Sequence, residues 1–155
     1  MRHHLKPLGL AISLFAGAAV PAFAGTSAPL LAMSAAEIKA NTGGHFITDI
    51  SVNGSTLKAL IDTGASAVAM SYEDAELADI NPRNLDFNVP VQTANGTVQA
   101  ARVSIDRVEV DGVRVENVEG LVLPKGALTG TLLGMSYLSR LSSFRIEDGV
   151  LYLKD

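Results

Sequence analysis

The most informative stretch of the sequence reads Leu57-Lys58-Ala59-Leu60-Ile61-Asp62-Thr63-Gly64-Ala65-Ser66. Its aliphatic first half predicts a strand, and Gly64 predicts a turn directly after it. Asp62 would then stand at a strand end, where the backbone can hold a carboxylate rigidly beside a cleft. The alternative is an ordinary Asx turn, in which the Asp62 side chain only bonds to its own backbone. Other features of the sequence must decide between a carboxylate at a cleft and an ordinary Asx turn.

Short strands joined by tight turns surround this stretch on both sides. Alternating apolar and polar residues flank Asn53-Gly54, Asp111-Gly112 and Asp148-Gly149, each a strong signal for a two-residue hairpin turn. We therefore predict an all-β barrel or sandwich with only short helices. The expected helices follow the cap residue Ser34, span Tyr72 to Ala78 behind the cap residue Ser71, and span Met135 to Leu141.

Further features complete the pattern of strands. Val91 to Arg102 predicts a hairpin with Asn95-Gly96 at its tip. Asp106-Arg107 interrupts the alternation of the long strand that follows, which indicates a β-bulge. Leu121-Val122-Leu123 is a fully apolar run that predicts a buried strand, and Leu132-Leu133-Gly134 leads into the last predicted helix.

The N-terminus has the layout of a secretory signal peptide. Arg2 and Lys6 form a basic start, Leu8 to Val20 is apolar, and Ala22-Phe23-Ala24 ends the segment with small residues at a signal-peptidase spacing. The apolar run of about 13 residues is shorter than the roughly 20 that span a bilayer. We predict a signal peptide over residues 1–24. The alternative is an uncleaved anchor formed by residues 8–24.

This layout sets the expected domain organisation and location. Residues 25–44 read as a spacer rich in Ala, Ser and Thr, and residues 45–155 read as one folded domain. The protein is predicted to be exported, either periplasmic or secreted. If the segment is not cleaved, it would tether the domain to the inner membrane.

Composition excludes several classes of function. Without residues 1–24 the chain has 10 basic and 16 acidic residues, a net charge of −6, which gives no electrostatic reason to bind nucleic acid. Cys is absent, and His45 is the one histidine beyond the N-terminal segment. One histidine and no cysteine cannot build a usual zinc site, so no metal site is predicted. The acid–base groups that remain are mainly carboxylates.

Asp62-Thr63-Gly64 between aliphatic residues resembles the signature of the retropepsin-like aspartic proteases. Leu132, Leu133 and Gly134 match that family's second motif, and the hairpin tip Thr93, Ala94, Asn95 and Gly96 stands where the family carries its flap. The resemblance covers residues 45–155. It is nearest to the bacterial members, to which the phrases Gln92-Thr93-Ala94-Asn95-Gly96 and Leu133-Gly134-Met135-Ser136-Tyr137-Leu138 are similar.

The resemblance implies a closed β-barrel and an aspartic endopeptidase that needs no cofactor. Asp62 would be the catalytic carboxylate, and Thr63, Gly64, Ala65 and Ser66 would support its loop. Thr63 would hydrogen-bond across a dimer, and the Gly64 amide would serve the carboxylate. The flap would close over an extended peptide substrate.

The motif occurs once in this chain, although the family's chemistry needs two aspartates around one water. A homodimer would supply the second Asp62 across a two-fold axis. The alternative function is a catalytically silent module of the same fold that dimerises or binds peptides. The intact Asp62-Thr63-Gly64 favours the enzyme, because a pure binding module does not need that carboxylate.

Overall fold

The computed structural model describes residues 33–155. The predicted signal peptide or anchor and the first part of the predicted spacer lie outside the described residues. Within them, no helix is both long enough and apolar enough to cross a bilayer. The strands are β1 (Ala35–Lys39), β2 (Ile47–Val52), β3 (Ser55–Ile61), β4 (Val68–Met70), β5 (Val89–Thr93), β6 (Gly96–Val110), β7 (Val113–Val122), β8 (Thr131–Leu133), β9 (Ser143–Glu147) and β10 (Val150–Lys154). The helices are α1 (Tyr72–Leu77), a 3₁₀ turn (Pro82–Asn84) and α2 (Met135–Leu138).

Six of the strands close into a barrel, in the order β2-β3-β8-β4-β7-β6. Pairing of Ser51 with Glu109 and of Val52 with Val108 joins β2 back to β6 and completes the circle. Strand β5 pairs only with β6 and extends from the barrel as a hairpin arm. The prediction of an all-β barrel with short helices is confirmed.

Three hairpin turns have the conformation that their sequences predict. Asn53 and Gly54 both have positive φ, at 51° and 91°, as a type I′ turn requires. Both residues of Asp111-Gly112 and of Asp148-Gly149 also have positive φ. These turns fix the registers of β2 with β3, β6 with β7, and β9 with β10.

The hairpin arm turns one residue earlier than predicted. Thr93 pairs with Gly96, so the two loop residues are Ala94 and Asn95, and Gly96 is the first residue of β6. Gly96 has positive φ at 108°, whereas Ala94 and Asn95 do not. The Thr93 hydroxyl stabilises this arrangement because it accepts a bond from the Asn95 amide (3.2 Å) and donates to the Gly96 carbonyl (2.7 Å).

The predicted bulge at Asp106-Arg107 is wrong. Ile105 pairs with Val118 and Arg107 with Glu116, so the register of β6 and β7 is the same on both sides of the interruption. No residue is inserted. The irregularity lies instead in β7, where Asn117 has a positive φ of 52°.

The helix predicted after Ser34 is also wrong, because Ala35–Lys39 forms strand β1 and pairs antiparallel with β10. Ala36 and Ile38 are buried while their neighbours are exposed, which is the two-residue period of a strand. The Ser34 amide donates to the Asp155 carboxylate (2.7 Å), a long-range bond that the local capping signal could not anticipate. Part of the stretch assigned to a spacer therefore belongs to a sheet, β1-β10-β9.

The two predicted barrel helices are present, and α2 is shorter than expected. At α1 the Ser71 hydroxyl accepts a bond from the Asp74 amide (3.0 Å), as predicted for the cap. The Asp74 carboxylate bonds to the buried Thr131 hydroxyl (2.7 Å), which ties α1 to β8. Helix α2 begins at Met135 and ends at Leu138.

The core is almost entirely aliphatic, and Tyr137 is the largest side chain buried in it. Its hydroxyl donates to the Val113 carbonyl at 2.8 Å. Burial raises the pKa of the Tyr137 phenol, and the negative charges of Asp155 and Glu109 raise it further. The folded protein therefore holds this phenol in its neutral form.

We expect Tyr137→Phe to change how stability depends on alkaline pH. In the wild type the unfolded chain ionises near pH 10 while the folded chain keeps the proton, so Tyr137 stabilises the fold below about pH 10 and progressively less above it. The variant loses this dependence and, at neutral pH, about 1–2 kcal/mol from the lost hydrogen bond. Urea unfolding at pH 7 and pH 10.5 measures both effects. An unchanged alkaline slope would contradict the assignment.

Candidate active site

The loop that holds Asp62 is positioned by the parallel pairing of β3 with β8. Ile61 and Leu133 are partners in this ladder, so the two strands end side by side. The Asp62 amide donates to the Leu133 carbonyl (3.1 Å), which extends the pairing by one residue. Both predicted motifs therefore meet at one edge of the barrel.

Gly134 lets the two motifs pack with their backbones in contact. A Cβ on Gly134 would lie 2.2 Å from the Ala67 carbonyl oxygen and 2.6 Å from that of Ala65. Real side chains do not approach so closely, so only glycine fits. The Met135 amide donates to the Ala65 carbonyl (2.8 Å) across the same contact.

Ser136 adds a second connection that the sequence did not single out as functional. Its amide donates to the Ser66 carbonyl (3.0 Å), and its hydroxyl accepts from the Val68 amide (2.9 Å). The same hydroxyl donates to the Glu119 carbonyl (2.7 Å). Ser136 thus joins the Asp62 loop to β7. The signal available in the sequence was a hydroxyl residue two positions after Gly134.

The Asp62 carboxylate is half-buried and oriented by its own loop. The Gly64 amide donates to Oδ1 at 2.8 Å, and the Ala65 amide donates to the Asp62 carbonyl at 3.2 Å. This is the geometry of an Asx turn, so the alternative interpretation of the motif correctly describes its local structure. It does not exclude chemistry, because the turn holds the carboxylate at the wall of a cleft.

The cleft has a volume of about 720 Å³ and lies between the Asp62 loop and the hairpin arm. Eight residues predicted for the site line it: Asp62, Gly64, Ala65, Ser66, Thr93, Ala94, Asn95 and Leu132. Four do not. Leu133 and Gly134 are buried, Thr63 is exposed outside the cleft, and Gly96, the first residue of β6, does not line it.

The remaining cleft walls were not predicted from the sequence. Half of them are aliphatic side chains contributed by β5, β7 and the loop before β8: Val89, Val91, Leu121, Leu123, Ala127 and Leu128. Arg102 on β6 and Glu119 on β7 also line the cleft and form an ion pair. No group of three or more His, Asp or Glu side chains within residues 33–155 is arranged to hold a metal ion.

Comparison with known proteins agrees with this architecture. The family described as "gag-polyprotein putative aspartyl protease" matches residues 48–140, which include both motifs and the hairpin arm. A crystal structure of a retropepsin-like aspartic protease from Rickettsia conorii superposes with a TM-score of 0.71 at 34% identity, covering 79% of this chain and 91% of that one. The chain therefore belongs to the retropepsin-like aspartic proteases, and the predicted barrel is of their type.

More distant and uncharacterised relatives complete the comparison. The protease of EIAV, solved with the inhibitor HBY-793, shares the fold with a TM-score of 0.54 at 17% identity, covering 71% of this chain and 100% of that one. An uncharacterised protein from the cobV 5′ region of Sinorhizobium sp. is 43% identical over 72% of this chain and 48% of its own length. Protein RP867 of Rickettsia prowazekii is 37% identical over 71% of this chain and 47% of its own length. The chain spans about half the length of these two curated relatives.

Proposed function

We propose that this protein is a homodimeric aspartic endopeptidase whose active site contains Asp62 from each subunit. The observation that carries the proposal is the position of Asp62 at a strand end, oriented by the Gly64 amide and lining a cleft beneath a hairpin arm. Membership of an aspartic protease family supports the same reaction class. Hydrolysis of a peptide bond needs no cofactor in this mechanism.

The chemistry follows from two carboxylates close together. Two such groups cannot both ionise at low cost, so they share one proton and titrate as a pair; aspartic proteases are the standard example of this effect. The ionised Asp62 accepts a proton from a water as that water attacks the peptide carbonyl. The protonated Asp62 donates to the carbonyl oxygen and then helps to protonate the leaving nitrogen.

The dimer is proposed because one chain supplies one Asp-Thr-Gly and therefore one carboxylate. A two-fold contact through the Asp62 loops would bring the second carboxylate opposite the first and present the same patch on both sides. Thr63 suits such a contact because it is exposed, adjacent to Asp62, and outside the cleft of its own chain. Its hydroxyl could then bond across the two-fold axis and stiffen both loops.

The hairpin arm is proposed to act as the flap. Thr93, Ala94 and Asn95 line the cleft opposite Asp62, so a peptide in the cleft would pass between the two. Closure would exclude bulk water and offer backbone groups to an extended substrate.

Export through residues 1–24, as signal peptide or anchor, is proposed on the sequence pattern alone. Identification of the protein's N-terminus in membrane and soluble cell fractions tests it.

A peptidase assay with a pepstatin-type inhibitor tests the reaction class. Such inhibitors carry a hydroxyl at the position of the attacking water, so they should bind the carboxylate pair and abolish cleavage. Wild-type protein and an unfolded control are assayed on a mixed peptide library from pH 3 to pH 8. Cleavage that resists the inhibitor, or no cleavage at any pH, would contradict an aspartic peptidase.

A further inference from the structure

The cleft contains one charged feature besides Asp62 that the proposed chemistry does not use. Among the described residues that line it, Asp62, Arg102 and Glu119 carry charge, and most of the others are small or aliphatic. Arg102 and Glu119 form an ion pair through Nη1 and Oε1. The other side chains of the wall that can hydrogen-bond are the uncharged Ser66, Gln92, Thr93 and Asn95. The ion pair therefore adds a charged donor and a charged acceptor side by side.

The position of the pair places it on the path of a substrate. Arg102 lies two residues beyond Ala100, which pairs with Val89 at the base of the hairpin arm. Arg102 pairs with Leu121 and Ser104 pairs with Glu119, so the two charged residues are diagonal neighbours on one face of β6 and β7. Leu121 lines the cleft on that same face. A peptide beneath the arm would therefore pass over both charged groups.

The pair is also held in register with the Asp62 loop. The Ser136 hydroxyl donates to the Glu119 carbonyl (2.7 Å) and accepts from the Val68 amide (2.9 Å), just after that loop. Both charged side chains remain about half exposed, at 58% for Arg102 and 52% for Glu119. A ligand can therefore reach both without breaking a buried contact.

We infer that Arg102 and Glu119 form a subsite for a primary carboxamide, the side chain of asparagine or glutamine. Within residues 33–155, Arg102 uses one of its five N–H donors in the pair, and the second carboxylate oxygen of Glu119 accepts no bond. A carboxamide provides one acceptor for the guanidinium and two donors for the carboxylate. An acidic or basic side chain would be attracted to one partner and repelled by the other. The inference rests on the proposed function, because it assigns specificity to the same cleft.

Two substitutions should change the preferred side chain in opposite directions. Glu119→Gln leaves the Arg102 charge unbalanced, so the subsite should favour aspartate or glutamate. Arg102→Met leaves the Glu119 charge unbalanced, so the subsite should favour lysine or arginine. The double exchange Arg102→Glu with Glu119→Arg restores a neutral pair and should restore the preference for asparagine and glutamine. We expect each change to be about tenfold, the size of one charge-assisted hydrogen bond.

The experiment measures cleavage and binding separately on one peptide library. Cleavage uses protein with the native Asp62, and binding uses Asp62→Asn, each with all four pair combinations. The expected result is an amide preference at one substrate position that shifts with the pair as described. Unchanged preferences in both single variants, a charged preference in the wild type, or no binding and no cleavage would overturn the subsite. Binding with the expected shifts but without cleavage would support the subsite and contradict the peptidase.

Discussion

Asp62→Asn should lower the rate of peptide cleavage by about 10⁴-fold or more while the protein stays folded. Asparagine retains an oxygen at the position of Oδ1, so the bond from the Gly64 amide (2.8 Å in the wild type) can persist and the loop keeps its shape. The variant loses the ability to take a proton from water and to return one. Each general acid or base accelerates an enzymatic reaction by about 10²–10⁴-fold. Cleavage is measured at substrate saturation, and the fold is checked by circular dichroism.

Asp49→Asn is the matched control, because it makes the same chemical change in β2, away from the cleft. Asp49 is exposed and pairs with Lys58 at 2.8 Å, and a surface pair of this kind contributes about 0–1 kcal/mol. Its variant should retain full activity. Substantial residual cleavage in Asp62→Asn, beyond that of a contaminating protease, would remove Asp62 from the mechanism.

Gly134→Ala should destabilise the protein by about 3 kcal/mol or more, a large share of the 5–15 kcal/mol that stabilises an ordinary domain. The added methyl group would lie 2.2 Å from the Ala67 carbonyl oxygen and 2.6 Å from that of Ala65. Both contacts are backbone atoms, so the Asp62 loop would have to separate from β8 and α2. Activity should fall together with stability, because the loop that moves is the one that holds Asp62.

Gly43→Ala provides the comparison for this effect. It adds the same methyl group in an exposed loop, where the nearest atom is His45 Cδ2 at 3.2 Å, on a side chain that can move. We expect a change below about 0.5 kcal/mol there. Urea unfolding of both variants measures the difference. Equal stabilities would show that the contact between the two motifs is not required for the fold.

The sequence predicted the strand-end position of Asp62 better than it predicted the walls of the cleft. The aliphatic stretch before Asp62 was enough to place that residue at a strand end, whereas Gly134 was identified through the resemblance of Leu132-Leu133-Gly134 to the family's second motif. Hairpin turns were predicted where a dipeptide needs two positive φ values, as at Asn53-Gly54. The conformation of such a turn depends on its own two residues and can therefore be predicted from the sequence.

The errors arose where distant contacts override local signals. The cap signal at Ser34 predicted a helix, but β1 gains a full ladder of hydrogen bonds from β10 at the other end of the chain. Asn95-Gly96 read as a turn, yet the Thr93 hydroxyl shifts the loop by one residue. The sequence did not predict the ion pair of Arg102 and Glu119, because the two residues become neighbours only through the register of β6 with β7.

Mixing wild-type protein with Asp62→Asn at constant total concentration tests the shared active site most directly. If each site needs two Asp62 carboxylates, only wild-type homodimers cleave, and an equal mixture after subunit exchange should retain about one quarter of the activity. Sedimentation should show dimers in both samples and in the mixture. An equal mixture that retains one half of the activity, or an active protein that sediments as a monomer, would contradict the account.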